Sequence, residues 1–269
     1  MSDLHQQYMF RCLELARNGA GFVLPNPMVG AVLVYQNRII GEGWHQKYGG
    51  PHAEVNCIRS VNPVDEHLIP HSTLYVSLEP CAHFGKTPPC SHLIIEKKIH
   101  QVVVACSDPF EAVNGKGIEL LQQAGIEVIT GVLEKEAIAL NSRFFCFHQQ
   151  QRPYIILKWA QTHDGFIAGL SDDRLLITHE QTNRLVHRWR SEEAAILIGT
   201  TTAIKDNPLL TNRYWFGKSP VRLVVDRHLR LPENLLMFQD GQPVVIFNEQ
   251  KNDEQGVVKF VQISTEQSF

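Results

Sequence analysis

The chain has 269 residues, which is long for one compact domain and favours two. Its 43% hydrophobic and 20% charged residues are those of an ordinary globular protein with real cores, which excludes disordered and fibrous classes. A net charge of −3 gives no basic field for nucleic acid, no run reaches the roughly 18 apolar residues of a spanning helix, and the N-terminus lacks a signal-peptide pattern; a cytoplasmic protein with neither nucleic acid nor membrane as partner is expected.

Residues 3–18 place Leu4, Tyr8, Cys12, Leu15 and Ala16 on one face and predict an amphipathic helix stopped by Asn18-Gly19. Residues 29–35 and 39–44 flank Gln36-Asn37 and read as a hairpin. A short helix over 52–60 follows, then a strand over 73–78, a helix over 90–97, a strand over 102–106, a helix over 117–124 and a strand over 127–130. This alternation predicts a three-layer α/β sandwich. Residues 134–150 look helical, and Gln149–Pro153 is the best linker, giving domains of 1–150 and 151–269. Beyond it, strands are expected at 154–157, 194–198, 221–225, 244–247 and 257–261, with a helix around 180–190, again an α/β pattern.

Of the six cysteines, Cys12, Cys57, Cys106 and Cys146 sit among apolar residues and read as core thiols. Cys81 and Cys90 lie instead in a Pro-, Gly- and Thr-rich stretch where packing gives a thiol no reason to be. His52-Ala53-Glu54 opens a helix, Pro80-Cys81 follows a strand, and Cys90 opens the next helix after Pro88-Pro89. One imidazole and two thiolates make a three-ligand zinc site with a fourth position for water, the pattern of catalytic rather than structural zinc. Helix N-termini favour the thiolate form. His-x-Glu with Pro-Cys-x-x-Cys is the deaminase signature, in which the Glu shuttles protons and is no ligand; here eight residues separate Cys81 from Cys90, a longer spacing, and Glu54 takes the shuttle role. His83 and His92 lie beside the cysteines as alternative ligands.

These motifs are specific enough to carry a resemblance. Pro25-Asn26-Pro27-Met28-Val29-Gly30, Gly41-Glu42-Gly43-Trp44-His45, Pro51-His52-Ala53-Glu54-Val55, and Leu78-Glu79-Pro80-Cys81 through Gly85-Lys86-Thr87-Pro88-Pro89-Cys90 are similar to the bifunctional deaminase/reductase family of riboflavin biosynthesis. The likeness continues through Leu157-Lys158, Asp164-Gly165, Ile198-Gly199-Thr200 and Lys205–Thr211, so it covers nearly the whole chain. It implies a cytidine-deaminase-like sandwich followed by a partial dihydrofolate-reductase-like domain. The implied substrate is 2,5-diamino-6-ribosylamino-4(3H)-pyrimidinone 5′-phosphate, deaminated with zinc and then reduced at its ribosyl chain with NADPH. By motif position, His52, Cys81 and Cys90 would hold zinc, Glu54 would move protons, and Asn26, His45 and Lys86 would contact substrate, Lys86 at the phosphate. In the second domain Arg190, Leu210 and Arg213 would contact substrate, and Lys158, Ala160, Thr202 and Asp206 would contact cofactor. A homo-oligomer is expected, since a deaminase sandwich often buries one face in a dimer.

Several positions depart from the family. Asp108-Pro109-Phe110-Glu111 stands where Asp-Pro-Asn-Pro is usual, and that Asn is a substrate contact. Arg174, Leu176 and Arg227 replace a Ser, a Trp and a small polar residue. Family members continue past Phe269 to a Val-Glu-Gly-Gly-like stretch that cradles cofactor phosphates. The expectation is therefore a chain that deaminates, binds NADPH weakly or not at all, and does not reduce. The alternatives are a deaminase of another nucleotide or base and a scaffold held by structural zinc.

Overall fold

The computed structural model of the protein describes residues 3–82, 88–111, 113–169, 175 and 177–264. The chain divides into two compact units, Met1–Ile156 and Leu157–Phe269.

In the first unit, α1 (Asp3–Arg17) turns Tyr8, Met9, Cys12, Leu13, Leu15 and Ala16 inward. Strands β1 (Gly30–Tyr35) and β2 (Arg38–Trp44) form the expected hairpin. Its turn residues Gln36 and Asn37 both have positive φ, which suits the right-handed strand twist. Then follow α2 (Ala53–Arg59), β3 (Thr73–Val76), α3 (Cys90–Glu96), β4 (Gln101–Val104), α4 (Lys116–Gln123), β5 (Glu127–Thr130), α5 (Glu134–Leu140) and α6 (Ser142–Gln150). The sheet order is β2-β1-β3-β4-β5. Its β2-β1 and β1-β3 ladders are antiparallel, and β3-β4 and β4-β5 are parallel.

The pleat of β1 shows how the layers form. Ala31 and Leu33 enter one core with Ala53, Cys57 and Ile58 of α2, Ile94 of α3 and Leu121 of α4. Val32 and Val34 enter the other with Met9, Cys12 and Leu13 of α1, Ala137 of α5 and Phe145 of α6. Helices thus cover both faces, and the three-layer sandwich expected from the alternation is present. Cys12, Cys57, Cys106 and Cys146 are all buried and unbridged.

One difference concerns residues 134–150, which form two helices rather than one. Asn141 interrupts them because both ends of its amide are engaged elsewhere. The Met28 amide donates to Asn141 Oδ1 and Asn141 Nδ2 donates to Met28 O, each at 2.8 Å. A buried side chain (3% exposed) committed to a distant backbone fixes where the helical path must break.

The second unit contains α7 (Glu180–Glu192), β6 (Ala195–Gly199), α8 (Thr200–Asp206), β7 (Val221–Val225), β8 (Val244–Asn248), β9 (Asp253–Gln255) and β10 (Val258–Gln262). The sheet order is β6-β7-β8-β10-β9, parallel from β6 to β10 with β9 antiparallel at the edge. One face closes on a core of Ala203, Leu210, Val224, Leu235, Met237, Val244 and Ile246. The other face is open, and Leu197 of β6 is 53% exposed.

Arg222 of β7 points into the closed face and is completely buried. It forms a fork on Asp240 (3.0 and 2.8 Å) and donates to the carbonyls of Leu209, Gln242 and Pro243. Burial alone would raise the Asp240 pKa, but the guanidinium and the Gln242 amide hold it below the usual value.

The strand expected at 154–157 is not formed. Tyr154, Ile155, Ile156 and Leu157 are irregular and 45%, 65%, 53% and 78% exposed. An apolar run becomes a strand only when a ladder partner takes its backbone groups, and none of the described strands pairs with it. No helix of the described residues is long and apolar enough to cross a membrane.

Candidate functional site

The site begins with the close approach of α2 to β2. A Cβ on Gly43 would lie 2.2 Å from Cys57 N, so only glycine lets the helix sit this near the strand. Asn56 Nδ2 fastens the same junction by donating to Trp44 O at 2.8 Å. The result sets His52 at the N-cap of α2 and Glu54 in its first turn. Cys90, with Pro89 at the N-cap, is the first residue of α3.

His52, Cys81 and Cys90 converge with their ligand atoms all within 4.8 Å of one another. His52 Nδ1 lies 3.6 Å from Cys81 Sγ and 3.4 Å from Cys90 Sγ. A tetrahedral zinc with Zn–S of about 2.3 Å and Zn–N of about 2.0–2.1 Å requires N···S edges of about 3.6 Å. The residues present therefore fit zinc in both chemistry and spacing. The Cys90 amide also donates to Cys81 Sγ at 3.3 Å. Hydrogen bonding from Cys90 chiefly, with His52 next, pulls the Cys81 thiol well below its usual pKa. The Cys81 contact in turn raises His52 to about 9. His92 is exposed on α3 outside this cluster, and His83 and Lys86 lie outside the described residues.

Glu54 is buried (3% exposed) and shares a hydrogen bond with the Cys90 thiol. Burial raises its pKa, and the neighbouring His52 opposes the rise. Next to the cluster, His45 is buried with its ring edge-on to His52 at 5.5 Å. His45 Nδ1 faces Pro51 O at 3.0 Å, and a carbonyl only accepts, so Nδ1 carries the proton. Nε2 is then the acceptor for Asn26 Nδ2 at 3.2 Å. Asn26, His45, His52, Glu54, Cys81 and Cys90 thus belong to one neighbourhood of the first unit. Phe110 is 38% exposed, and its ring centroid lies 5.1 Å from that of His148.

In the second unit Arg190 and Arg213 meet at Thr211. Arg190 Nη1 donates to Thr211 O at 3.0 Å and Arg213 Nη1 to Thr211 Oγ1 at 2.8 Å, beside buried Leu210. The amides of Arg213 and Tyr214 both donate to Nδ1 of buried His187, at 2.8 and 3.4 Å. Lys158, Thr202 and Asp206 are exposed and Ala160 is half-buried. No hydrogen bond among the described residues joins these four. Sequence reasoning also passed over Asn141 and the role of Glu79, whose partners are backbone groups that leave no motif.

A family model for the cytidine and deoxycytidylate deaminase zinc-binding region matches residues 2–106, and one for the RibD C-terminal domain matches residues 153–266. The chain is 42% identical over 254 residues to the riboflavin biosynthesis protein RibD of Aquifex aeolicus (strain VF5), covering 94% of this chain and 70% of that protein. Against RibD of Actinobacillus pleuropneumoniae the identity is 43% over 242 residues, covering 90% and 63%. Among solved structures, a diaminohydroxyphosphoribosylaminopyrimidine deaminase/5-amino-6-(5-phosphoribosylamino)uracil reductase from Thermotoga maritima is 41% identical with a TM-score of 0.90, covering 97% of this chain and 75% of that one. Acinetobacter baumannii RibD (form 1) is 35% identical with a TM-score of 0.87, covering 97% and 74%.

Proposed function

Because the chain belongs to the RibD family of riboflavin biosynthesis, a family of bifunctional deaminase/reductases, we propose that its first unit deaminates 2,5-diamino-6-ribosylamino-4(3H)-pyrimidinone 5′-phosphate by hydrolysis. The chain spans 63–70% of the two curated relatives above. The functional division proposed is residues 1–150 for deamination and 151–269 for the reductase-like part, meeting where α6 ends at Gln150. What carries the reading is the His52–Cys81–Cys90 cluster at tetrahedral spacing beside a buried carboxylate that is no member of it.

When bound, zinc supplies a water acidified to a pKa of about 7. His52, Cys81 and Cys90 would hold it and leave the fourth position open. Glu54 would take one proton from the attacking water and pass it to the ring nitrogen, then take the remaining hydroxyl proton and give it to the amino group, which leaves as ammonia as the ring carbon becomes a carbonyl. His45 offers its polar edge with a fixed tautomer, because Pro51 O holds the Nδ1 proton. Asn26 is set in the same rim by its bond to His45. Lys86 is proposed at the substrate phosphate by its place in the motif.

The second unit carries the family's NADPH-dependent reductase domain. Arg190, Leu210 and Arg213 are proposed as its substrate-side residues, and Lys158, Ala160, Thr202 and Asp206 as its cofactor-side residues.

The test is ammonia release by zinc-loaded protein from the diaminopyrimidine ribotide. Wild type should turn over, and Glu54→Gln should keep its zinc while losing about 10²- to 10⁴-fold in rate. Wild-type turnover by the variant, or no ammonia from the zinc-loaded wild type, would overturn the reading. The scaffold alternative predicts the second of these.

A further inference from the structure

Glu79 is a carboxylate only 4% exposed, two residues before Cys81. Among the described residues no cationic side chain pairs with it, and it accepts from four backbone amides. Oε2 takes Asp108 N at 3.1 Å and Gly115 N at 2.9 Å; Oε1 takes Gly117 N at 2.9 Å and Ile118 N at 3.3 Å. Three of these donors open α4, whose N-cap is Gly115, a residue with no side chain to cap its own helix. Amides at a helix start have no partner within the helix and carry the positive end of its dipole. Glu79 therefore caps α4 from the irregular segment that follows β3. The fit is close, since a Cβ on Gly117 would lie 1.9 Å from Pro80 O.

We propose that Glu79 is a positioning residue for the deaminase site: by capping α4 it fixes the Pro80–Cys81 segment against Asp108 and the start of α4. The first consequence concerns metal. Cys81 is held on its other side by Ser91, whose amide and hydroxyl reach Cys81 O at 3.2 and 3.1 Å. With Glu79 anchored, both flanks of this ligand are tied down. The second concerns substrate. Asp108 Oδ1 accepts from Phe110 N at 2.8 Å, so the carboxylate that places Asp108 also places Phe110, which stands at the family's substrate-contact position. What the clamp serves rests on the deaminase reading; what it holds does not.

Glu79→Gln tests this with little change in volume. A carboxamide has one acceptor oxygen, so whichever way it turns its NH2 meets two N–H donors. Glu79→Asp keeps both acceptors on a shorter arm and should give partial rescue. Both variants are compared with the wild-type full chain for thermal midpoint, zinc affinity by chelator competition, the cobalt–thiolate charge-transfer spectrum, KM and kcat. Glu79→Gln should bind zinc about 10-fold more weakly or worse, as is typical when groups behind metal ligands are removed. Its cobalt spectrum should change, and its KM for the ribotide should rise by a larger factor than kcat falls. A lower midpoint with wild-type zinc affinity, cobalt spectrum and KM would reduce Glu79 to a stabiliser and overturn the proposal. If Glu79→Gln does not fold, wild-type zinc affinity and cobalt spectrum in Glu79→Asp overturn it equally. Should the wild type itself release no ammonia, the deaminase reading fails while the zinc and cobalt measurements still judge Glu79.

Discussion

The two units bury their sheets differently. In the first, β1 is covered on both faces, and Ala31, Val32 and Leu33 have no measurable exposure. In the second, one face of the sheet is closed and the other is open; the buried face is pinned by a charged group, Arg222, rather than by apolar packing alone. The difference teaches where chemistry can be held still. A site needs ligands fixed by a rigid surround, and the His52–Cys81–Cys90 cluster stands on elements packed against a closed core. The polar candidates Lys158, Thr202 and Asp206 stand on exposed surface.

The comparison breaks first at Arg222. Replacing it with Met should leave Asp240 partly buried without its partner and destabilise the second unit by about 3 kcal/mol, the lower end for a broken buried pair. Hydrogen exchange should report the loss in β7 and β8 and leave β1 unchanged. Equal loss in both units would show that the clamp is not local.

A pair of leucines sharpens the same comparison. Leu33→Ala, in a strand covered on both faces, should cost about 2–5 kcal/mol. Leu197→Ala, at a position 53% exposed, should stay within about 0.5 kcal/mol. Denaturant unfolding of the two variants tests the contrast, and similar losses would mean that the open face of the second unit is covered in solution.

How far the sequence carried can be judged residue by residue. The zinc cluster was legible because imidazole and thiolate at strand-to-helix junctions have few other uses. The three layers were legible because alternating short strands and helices fit few architectures. Asn141 and Glu79 were not, since what they bind is backbone and any folded segment supplies amides and carbonyls. The run at 154–157 was misread because apolar composition reports a wish for burial but not the presence of a pairing strand. Nor does the strand pattern at 221–225 show that Arg222 faces inward, where Asp240 and three carbonyls receive it.

The smallest effect is one of pH. His187 accepts two amides at Nδ1, so the folded second unit favours its neutral form. Burial first, and then the positive Arg190 and Arg213, lower its pKa. A histidine depressed in the fold gives stability that is complete above its unfolded pKa of about 6.5 and is lost as pH falls below that value. Amide exchange at Arg213 and Tyr214 should therefore quicken, beyond its intrinsic pH trend, from about pH 6.5 downward. His187→Asn, which removes the titrating ring, should abolish the pH-linked part. Unchanged protection across that range would contradict a neutral His187 that accepts these two amides.

Hydrolytic deamination at this cluster requires an open three-ligand metal centre rather than a closed structural one. X-ray absorption at the zinc edge of the loaded full chain tests this directly. Two sulfurs at about 2.3 Å with one imidazole nitrogen at about 2.0–2.1 Å, plus one light non-protein ligand exchangeable with small anions, is the predicted result. A shell of three or four sulfurs, or one unchanged in the Cys81→Ala variant, would contradict it.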